Sequence, residues 1–383
     1  MKQLPKSLLQ KLQEREEANA LRTLPVPDNV VDFSSNDYLG FSQNRDIFGQ
    51  AHKYLLDSNV ISNGSTGSRL ITGNHSLYRE TEEFIARFHN SAAALIFNSG
   101  YDANVGLFSS VPQKEDVVLY DEYIHASIRD GLRLSNAKTF KFRHNDISHI
   151  ESLISRHRGE GELYIITESV FSMDGDSPDI KAFINIAEKH HCRLIVDEAH
   201  ALGVFGSNGE GLVQNLGLED KIFARIVTFG KGLGCHGAAI LCSPQLYTYL
   251  INFARSFIYT TALPPHSLSV ILTAYKYLAN KSLQTERLKN IVSFFTDEAK
   301  RLGIDKAFIY SASAIHCAVI PGNKNVKNIS SVLRQNGFNV KAILSPTVPQ
   351  GSERLRFCLH SYNSREQVTA VLTLLKQFLQ QGE

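Results

Sequence analysis

Residues 163–200 read LYIITESVFSMDGDSPDIKAFINIAEKHHCRLIVDEAH, and most of the information about fold class lies in this segment. Two short apolar runs, Leu163–Thr167 and Arg193–Val196, flank a helical pattern over Ile180–His190. The runs are continuous rather than alternating, which is typical of parallel strands buried on both faces. Pro178 lies just before the helical pattern, where proline is tolerated. The segment therefore predicts a strand–helix–strand unit of a parallel sheet.

The alternation of strand-like and helical segments extends through most of the chain. Further apolar runs of strand length lie at Ala92–Phe97, Val117–Tyr120, Ile226–Phe229 and Ala238–Cys242. After Pro264 and Pro265 helical patterns dominate, with strand-like residues near 318–320 and 354–359. We therefore predict an α/β fold in three parts: an N-terminal arm over residues 1–45, a large domain with a mostly parallel sheet over residues 46–275, and a small α+β domain over residues 276–383.

The first 24 residues predict an amphipathic helix, because Leu4, Leu8 and Leu12 recur at helical spacing. An arm of this kind needs a surface to bind, on the main body or on a second subunit. Three glutamates within residues 14–17 exclude a signal peptide, which needs an uninterrupted apolar core.

Composition narrows the class of protein. The 383 residues carry 40 basic and 38 acidic side chains, a formal net charge of +2, with 43% hydrophobic residues. This balance is ordinary for a globular protein and gives no general attraction to nucleic acid or to an anionic membrane. No apolar run approaches the roughly 20 residues that span a bilayer. Five cysteines without a C-x-x-C pair fit a reducing compartment. We expect a cytoplasmic enzyme with no metal site.

Chemically active side chains follow the predicted strands at the point where each strand ends. These residues are His125, Glu168, Asp197, His200 and Lys231. Because ligands bind at the carboxyl ends of the strands in an open α/β sheet, we expect the five side chains to lie along one rim.

Lys231 lies in the run Thr228-Phe229-Gly230-Lys231-Gly232-Leu233-Gly234, just past an apolar strand. Lysines are mostly exposed, so one interpretation is a solvated loop residue. The other interpretation is an amine held in a crevice, because flanking glycines let the backbone approach a ligand closely. A desolvated lysine has a lowered pKa and can form a Schiff base.

Asp197 ends a buried strand and therefore needs a cationic or hydrogen-bonding partner. It either caps a following helix or pairs with the protonated pyridine nitrogen of pyridoxal phosphate. In the second case His200, three residues further on, can reach the phenolic oxygen of that cofactor. Otherwise His200 is a histidine of the core.

Two formal motif matches fail on their context. Gly232–Gly237 spells G-x-G-x-x-G, but a strand-like segment follows it, and no acidic residue lies between positions 221 and 285 to bind a ribose. Asp197–His200 spells the DEAH box of helicases. A helicase also needs a phosphate loop ending in Gly-Lys-Ser/Thr, and glycine follows the Gly230-Lys231 pair.

The segment Asn98-Ser99-Gly100-Tyr101-Asp102-Ala103-Asn104 predicts a turn from a strand into a helix. The amides at a helix N-terminus form a ready phosphate site. The alternative is an ordinary capped helix, and this motif by itself does not distinguish the two.

Together these motifs resemble the α-oxoamine synthase family, the fold-type I pyridoxal phosphate enzymes that condense an amino acid with an acyl thioester. The resemblance covers nearly the whole chain and implies pyridoxal 5'-phosphate as the cofactor. Its motifs are Phe33–Gly40, Gly64–Arg69, Ser99–Tyr101, His125–Ser127, Asp174–Asp176, Asp197–His200, Thr228–Gly237, Tyr259–Thr261 and Glu353–Arg356.

The resemblance implies a role for each matching residue. Lys231 would carry the cofactor and transfer protons at the substrate Cα, Asp197 would keep the pyridine nitrogen protonated, and His125 would stack on the ring. Further cofactor contacts are implied for Gly100, Tyr101, Ser172, His200, Thr228 and, from a neighbouring subunit, Thr260 or Thr261. Substrate contacts are implied for Asn36 and His125, for Arg356 on the amino acid carboxylate, and for Arg22 and Thr347 on the acyl substrate or product.

Within the family, the chain is similar to members that join L-alanine to a pimeloyl thioester carried by coenzyme A or by an acyl carrier protein. A homodimer with the site at the subunit interface is also implied. The alternatives are a member that uses glycine or serine, an aminotransferase of the same fold, and a non-catalytic subunit. Retention of Lys231 argues against the last of these.

Overall fold

Seven strands form the larger sheet and four form a smaller sheet. The computed structural model describes residues 4–24, 29–280 and 283–381. The strands are β1 (Val31–Phe33), β2 (Ala93–Phe97), β3 (Val117–Asp121), β4 (Lys138–Phe142), β5 (Leu163–Glu168), β6 (Arg193–Asp197), β7 (Ala224–Thr228), β8 (Ala238–Cys242), β9 (Ile315–Val319), β10 (Phe338–Ile343) and β11 (Arg354–Cys358). Their order is β2-β8-β7-β6-β5-β3-β4 in the larger sheet and β1-β10-β11-β9 in the smaller sheet.

Strand direction places the carboxyl ends of several strands at one edge of the larger sheet. Neighbouring strands are parallel except at β8, which is antiparallel to both β2 and β7. Because the two reversals cancel, β2 runs in the same direction as β7. The carboxyl ends of β2, β3, β5, β6 and β7 therefore share one edge. The predicted α/β fold with a mostly parallel sheet is confirmed.

Six of the seven strands in this sheet coincide with predicted apolar runs, although bounds shift by one or two residues. The segment predicted as Ile226–Phe229, for example, is β7 and spans Ala224–Thr228. Strand β4 is not predicted from the sequence, because its residues Lys138–Phe142 carry two lysines at exposed positions. This strand lies at the edge of the sheet and is not buried on both faces, so it lacks a continuous apolar run.

Fourteen α-helices occur in the described residues. They are α1 (Lys6–Glu17), α2 (Arg45–Asp57), α3 (Ser76–Phe88), α4 (Gly100–Ser110), α5 (Ala126–Leu134), α6 (Ile147–His157), α7 (Ile180–His190), α8 (Leu212–Asn215), α9 (Pro244–Phe253), α10 (Arg255–Ile258), α11 (Pro265–Ala279), α12 (Leu283–Leu302), α13 (Asn323–Gln335) and α14 (Arg365–Gln381). No described helix is both long enough and apolar enough to cross a membrane.

Two compact units divide the chain. The larger comprises Asn36–Ser172 and Asp176–Leu288 and contains the seven-stranded sheet. The smaller comprises the described parts of Met1–Ser35, Met173–Gly175 and Lys289–Glu383, and it contains the four-stranded sheet. In that sheet β1 is parallel to β10, and β11 is antiparallel to both of its neighbours. The domain bounds at residues 45 and 275 stay a prediction.

The N-terminal helix is shorter than the sequence pattern predicts. A helix was expected over residues 1–24, whereas α1 ends at Glu17 and residues 1–3 lie outside the described part of the chain. None of its residues is buried, and Leu8 and Leu12 are each about half exposed. The leucine face is thus not covered within the described chain.

Helix α7 shows how local sequence and packing combine. Asp179 precedes the helix, and its side chain accepts a hydrogen bond from the Ala182 backbone, which caps the N-terminus. His191 ends the helix in the left-handed conformation, with φ of 54°. Phe183 and Ile184 on the buried face belong to a hydrophobic cluster formed with β3, β5 and β6.

We expect Phe183→Ala to destabilise the protein by about 3–5 kcal/mol, because it empties a core position that is only 1% exposed. Lys181→Ala, an exposed change on the same helix, should alter stability by less than about 0.5 kcal/mol. The free energy of unfolding in urea measures both. Equal effects of the two variants would contradict the assigned packing of α7.

Candidate active site

A cavity of about 260 Å³ opens at the shared carboxyl edge of the larger sheet. Its walls come from β5, β6 and β7, from the start of α4 and α5, and from the loops that follow the strands. The lining residues are Asn36, Ser99, Gly100, Tyr101, Asn104, His125, Ser127, Glu168, Asp197, Ala199, His200, Thr228, Gly230, Lys231, His236 and Gly237. All of them belong to the larger unit.

Lys231 lies inside this cavity and is not a solvated loop residue. Its Nζ atom is 2.6 Å from Nε2 of His200, and Nδ1 of the same ring is 2.6 Å from the hydroxyl of Tyr38. Tyr38 in turn donates to Oδ1 of Asn36 over 3.2 Å. When the Lys231 amine donates to Nε2, the ring proton belongs on Nδ1, facing the Tyr38 oxygen. The amine is thus oriented by a chain of three hydrogen bonds.

Glycine permits the close backbone contact that holds the Lys231 loop. A Cβ atom at Gly232 would lie 2.3 Å from the carbonyl oxygen of Leu202, so no larger residue fits there without a backbone shift. The loop after β7 therefore packs directly on the loop after β6. This contact brings the Lys231 and His200 side chains to the same wall.

Asp197 is 4% exposed at the end of β6 and accepts two hydrogen bonds. Oδ2 accepts from Nδ2 of Asn104 over 2.9 Å, and Oδ1 accepts from the backbone amide of Ala199 over 2.9 Å. The chain enters a series of turns after Asp197, so this residue caps a turn and not a helix. Each oxygen of this buried carboxyl group thus has one hydrogen-bond donor from the protein, as a buried polar group requires.

His125 is held in place at the start of α5. Its Nδ1 atom accepts from the backbone amide of Ser127 over 3.2 Å, which caps the helix and leaves Nε2 as the protonated nitrogen of the neutral ring. Burial, with a further contribution from the Lys231 charge, lowers the pKa of His125. The backbone amide of His125 donates to Oε1 of Glu168 over 2.5 Å.

The N-terminus of α4 forms the part of the cavity suited to an anion. Ser99 caps the helix by accepting from the amide of Asp102 over 3.0 Å. The amides of Gly100 and Tyr101 begin the helix and have no acceptor within it. A Cβ atom at Gly100 would lie 2.6 Å from Cγ2 of Thr228, so this helix end and β7 are in close contact. Amides and a hydroxyl thus converge where a phosphate can bind.

The remaining residues implied by the resemblance do not line this cavity. Ser172 and Thr261 belong to the larger unit, and the carbonyl of Thr261 accepts from Nδ2 of Asn98 over 2.6 Å. Arg22, Thr347 and Arg356 belong to the smaller unit.

Within the smaller unit, Arg22 and Thr347 lie together. Nη2 of Arg22 donates to the hydroxyl of Thr347 over 3.4 Å, and both residues line a second cavity of about 690 Å³. Arg356 is a buried residue of β11, paired with Lys341 of β10 and Cys317 of β9.

Four residues of the site have no role predicted from the sequence: Asn104, Ser127, Tyr38 and Glu168. Of these, Glu168 is predicted only to lie at the end of a strand. Asn104 donates to both Asp197 and Ser127, so it connects β6 to α5. The sequence predicts that Asn104 lies near the start of a helix, but no local pattern indicates that its amide faces the carboxyl end of β6. Tyr38 lies in the Phe33–Gly40 motif, which was quoted for its resemblance alone.

The residues around this cavity fit pyridoxal 5'-phosphate. They offer a primary amine for a Schiff base, a buried carboxylate for the pyridine nitrogen and a helix N-terminus for the phosphate. Glycine at position 100 lets this helix end lie directly against Thr228, since a Cβ there would collide with the threonine methyl group. Oδ1 of Asn104 is buried without a hydrogen-bond partner, as expected where a bound group completes the network.

Comparison with known proteins identifies the family. The profile of the family described as aminotransferase class I and II matches residues 28–375. The chain is 40% identical to 8-amino-7-oxononanoate synthase of Emericella nidulans, over 98% of this chain and 96% of that protein. It is 36% identical to a putative 8-amino-7-oxononanoate synthase of Geobacillus kaustophilus, over 94% and 92%. The chain therefore belongs to the aminotransferase class I and II family.

Solved structures agree with this assignment. Serine palmitoyltransferase from S. paucimobilis, with a bound PLP–myriocin aldimine, superposes with a TM-score of 0.88 at 25% identity, over 98% of this chain and 97% of that chain. A crystal structure of 8-amino-7-oxononanoate synthase from Francisella tularensis superposes with a TM-score of 0.79 at 29% identity, over 93% and 99%.

The contact between Gly100 and Thr228 is open to a direct test. Gly100→Ala should destabilise the protein by about 1–3 kcal/mol and weaken pyridoxal phosphate binding, because the new Cβ overlaps Cγ2 of Thr228. Adding Thr228→Ser removes that methyl group, keeps the hydroxyl and should restore both properties. Urea unfolding and cofactor titration measure the effects. If the double variant is as impaired as Gly100→Ala, the contact is not responsible.

Proposed function

We propose that this chain is a pyridoxal 5'-phosphate-dependent acyltransferase that condenses L-alanine with a pimeloyl thioester. The products are 8-amino-7-oxononanoate, carbon dioxide and free thiol, in the biosynthesis of biotin. The observation that carries the proposal is the placement of Lys231, Asp197, His200 and His125 around one cavity, in a chain that is 40% identical to an 8-amino-7-oxononanoate synthase over nearly its whole length.

The bound cofactor would supply an electron sink that makes the Cα–H bond of the amino acid acidic. Lys231 would hold the cofactor through its amine, and the same amine, once the amino acid has displaced it, would move the proton at the substrate Cα. Asp197 would pair with the protonated pyridine nitrogen. His200 is the hydrogen-bond partner of the ring oxygen. His125, kept neutral by burial and by the Lys231 charge, faces the ring and the substrate without adding a competing cation.

Anionic groups of the ligands have separate binding residues in this proposal. The amides of Gly100 and Tyr101 and the hydroxyl of Thr228 would bind the cofactor phosphate, and Ser172 would contribute near the ring. Arg356 binds the amino acid carboxylate, because its planar guanidinium suits a bidentate contact. Asn36 contacts the substrate, and Arg22 with Thr347 contacts the acyl substrate or product.

We also propose a cytoplasmic homodimer in which Thr261 of one subunit reaches the phosphate of the other. Two observations support this role. The Thr261 side chain is exposed, and the side chain of Asn98 donates a hydrogen bond to the backbone carbonyl of Thr261. All five cysteines are free thiols, which supports a reducing compartment. Coenzyme A and an acyl carrier protein both remain candidate carriers of the thioester.

Thiol release tests the reaction. With pimeloyl-CoA, we expect free thiol to appear in the presence of L-alanine, and at less than a tenth of that rate with glycine, with serine or without an amino acid. Release that requires serine or glycine with another thioester would indicate the second candidate, a serine palmitoyltransferase or a 2-amino-3-ketobutyrate CoA ligase. The TM-score of 0.88 to serine palmitoyltransferase favours the former of these. Formation of a keto acid without thiol would indicate an aminotransferase.

Reductive trapping tests the role of Lys231. We expect Lys231→Ala to bind pyridoxal phosphate but to retain no cofactor after borohydride treatment and denaturation, because the Schiff base cannot form. Lys221→Ala, which changes an exposed lysine paired with Glu188, serves as the control and should be labelled like the parent protein. Mass spectrometry of the treated proteins measures the adduct. An adduct of undiminished yield on Lys231→Ala would refute the assignment.

A further inference from the structure

Two buried carboxyl groups end neighbouring strands at the edge of the cavity. Glu168 is the last residue of β5 and Asp197 the last residue of β6, and the two are directly paired in the parallel register. They are 3% and 4% exposed. Because neighbouring strands lie about 4.8 Å apart, two negative charges at these positions would repel each other strongly in a poorly solvated place. A proton on one of the two groups would remove this repulsion.

The hydrogen bonds indicate which group is ionised. Asp197 accepts from the Asn104 side chain and from the Ala199 backbone, one donor on each oxygen. Glu168 accepts from the backbone amide of His125 on Oε1. Since hydrogen-bond donors stabilise the charged form of a carboxyl group, the better-supplied Asp197 takes the negative charge.

We propose that Glu168 is a positioning residue: a neutral carboxyl group that fixes the backbone of His125 and leaves Asp197 as the ionised member of the pair. Glu168 acts on the reaction through His125. That part of the role rests on the proposed function, in which His125 faces the cofactor and substrate. The protonation state of Glu168 does not depend on which reaction the protein catalyses.

The charges around Glu168 agree with this assignment. Burial, followed by the Asp197 carboxylate, raises the pKa of Glu168 to about 8, and Asp121 on β3 contributes in the same direction. The Lys231 charge and the hydrogen bond from His125 oppose the shift without cancelling it. The neutral form is therefore present below about pH 8. At higher pH a second negative charge forms beside Asp197.

Infrared spectroscopy of the holoenzyme tests the protonation state directly. The parent-minus-Glu168→Gln difference spectrum should contain a protonated-carboxyl band at pH 7 that disappears as the pH rises through about 8. Absence of the band at pH 6 and 7 would overturn the proposal.

Glu353→Gln is the matched control for this measurement. Glu353 is also buried and also accepts backbone hydrogen bonds, from Gly322 and Gly351. The hydrogen bond from Gly322 is the main cause of its lowered pKa, so Glu353 is ionised at neutral pH. The parent-minus-Glu353→Gln spectrum should therefore lack a protonated-carboxyl band.

A pair of substitutions separates positioning from folding. Glu168→Gln keeps an acceptor for the His125 amide, whereas Glu168→Ala leaves that amide unpaired. At pH 7 we expect the rate of thiol release to be at least tenfold higher in Glu168→Gln than in Glu168→Ala. The parent should lose activity as the pH rises through about 8, and Glu168→Gln should not show this decline. Equal rates for the two variants, or an unchanged alkaline limb in Glu168→Gln, would overturn the positioning role.

The two kinds of measurement also separate this proposal from the proposed function. If no amino acid supports thiol release while the infrared band is present, the proposed function fails and the neutral state of Glu168 stands. If release is normal and the band is absent, the neutral state fails and the proposed function stands.

Discussion

The buried carboxylate of Asp197 is the constraint around which the site is built. A charge that is almost without solvent contact must be met by donors in the protein. The Asn104 amide supplies one of these donors from α4 and the Ala199 backbone supplies another. Asn104 also donates to the hydroxyl of Ser127, whose backbone amide donates to Nδ1 of His125, the residue that caps α5. One buried charge thus fixes the end of β6 and the beginnings of two helices in a common arrangement.

The same motif contains residues that serve chemistry and residues that serve the fold. Asp197 and His200 line the cavity, whereas Glu198 between them is fully buried and paired with Arg225 of β7 at 3.4 Å. Glu198 also accepts from the amide of Val213. Removing one partner of a buried ion pair costs about 3–5 kcal/mol of stability. The fold therefore requires Glu198, although Glu198 does not line the cavity. A four-residue motif therefore does not indicate four functional side chains.

Features carried by local sequence were predictable, and features set by distant contacts were not. The continuous apolar runs gave β5 and β6, and the flanking glycines singled out Lys231. By contrast, Tyr38 and His200 are 162 positions apart in sequence, and Asn104 and Asp197 are 93 apart. The direction of β8 also depends on its pairing and not on its composition. Sequence patterns record burial and backbone conformation, whereas the partner of a polar side chain is decided by the assembled fold.

Charge balance within the cavity explains why Lys231 and Asp197 occur together. Among the described residues that line it, Lys231 is the only lysine or arginine. Its amine faces His200, which is itself oriented by Tyr38. A cofactor attached through Lys231 engages that amine, and Asp197 then needs another positive partner. A protonated pyridine nitrogen is such a partner, and His125 does not replace it because burial keeps the ring neutral. The arrangement therefore favours a ligand that presents both a carbonyl for the lysine and a basic nitrogen for the carboxylate.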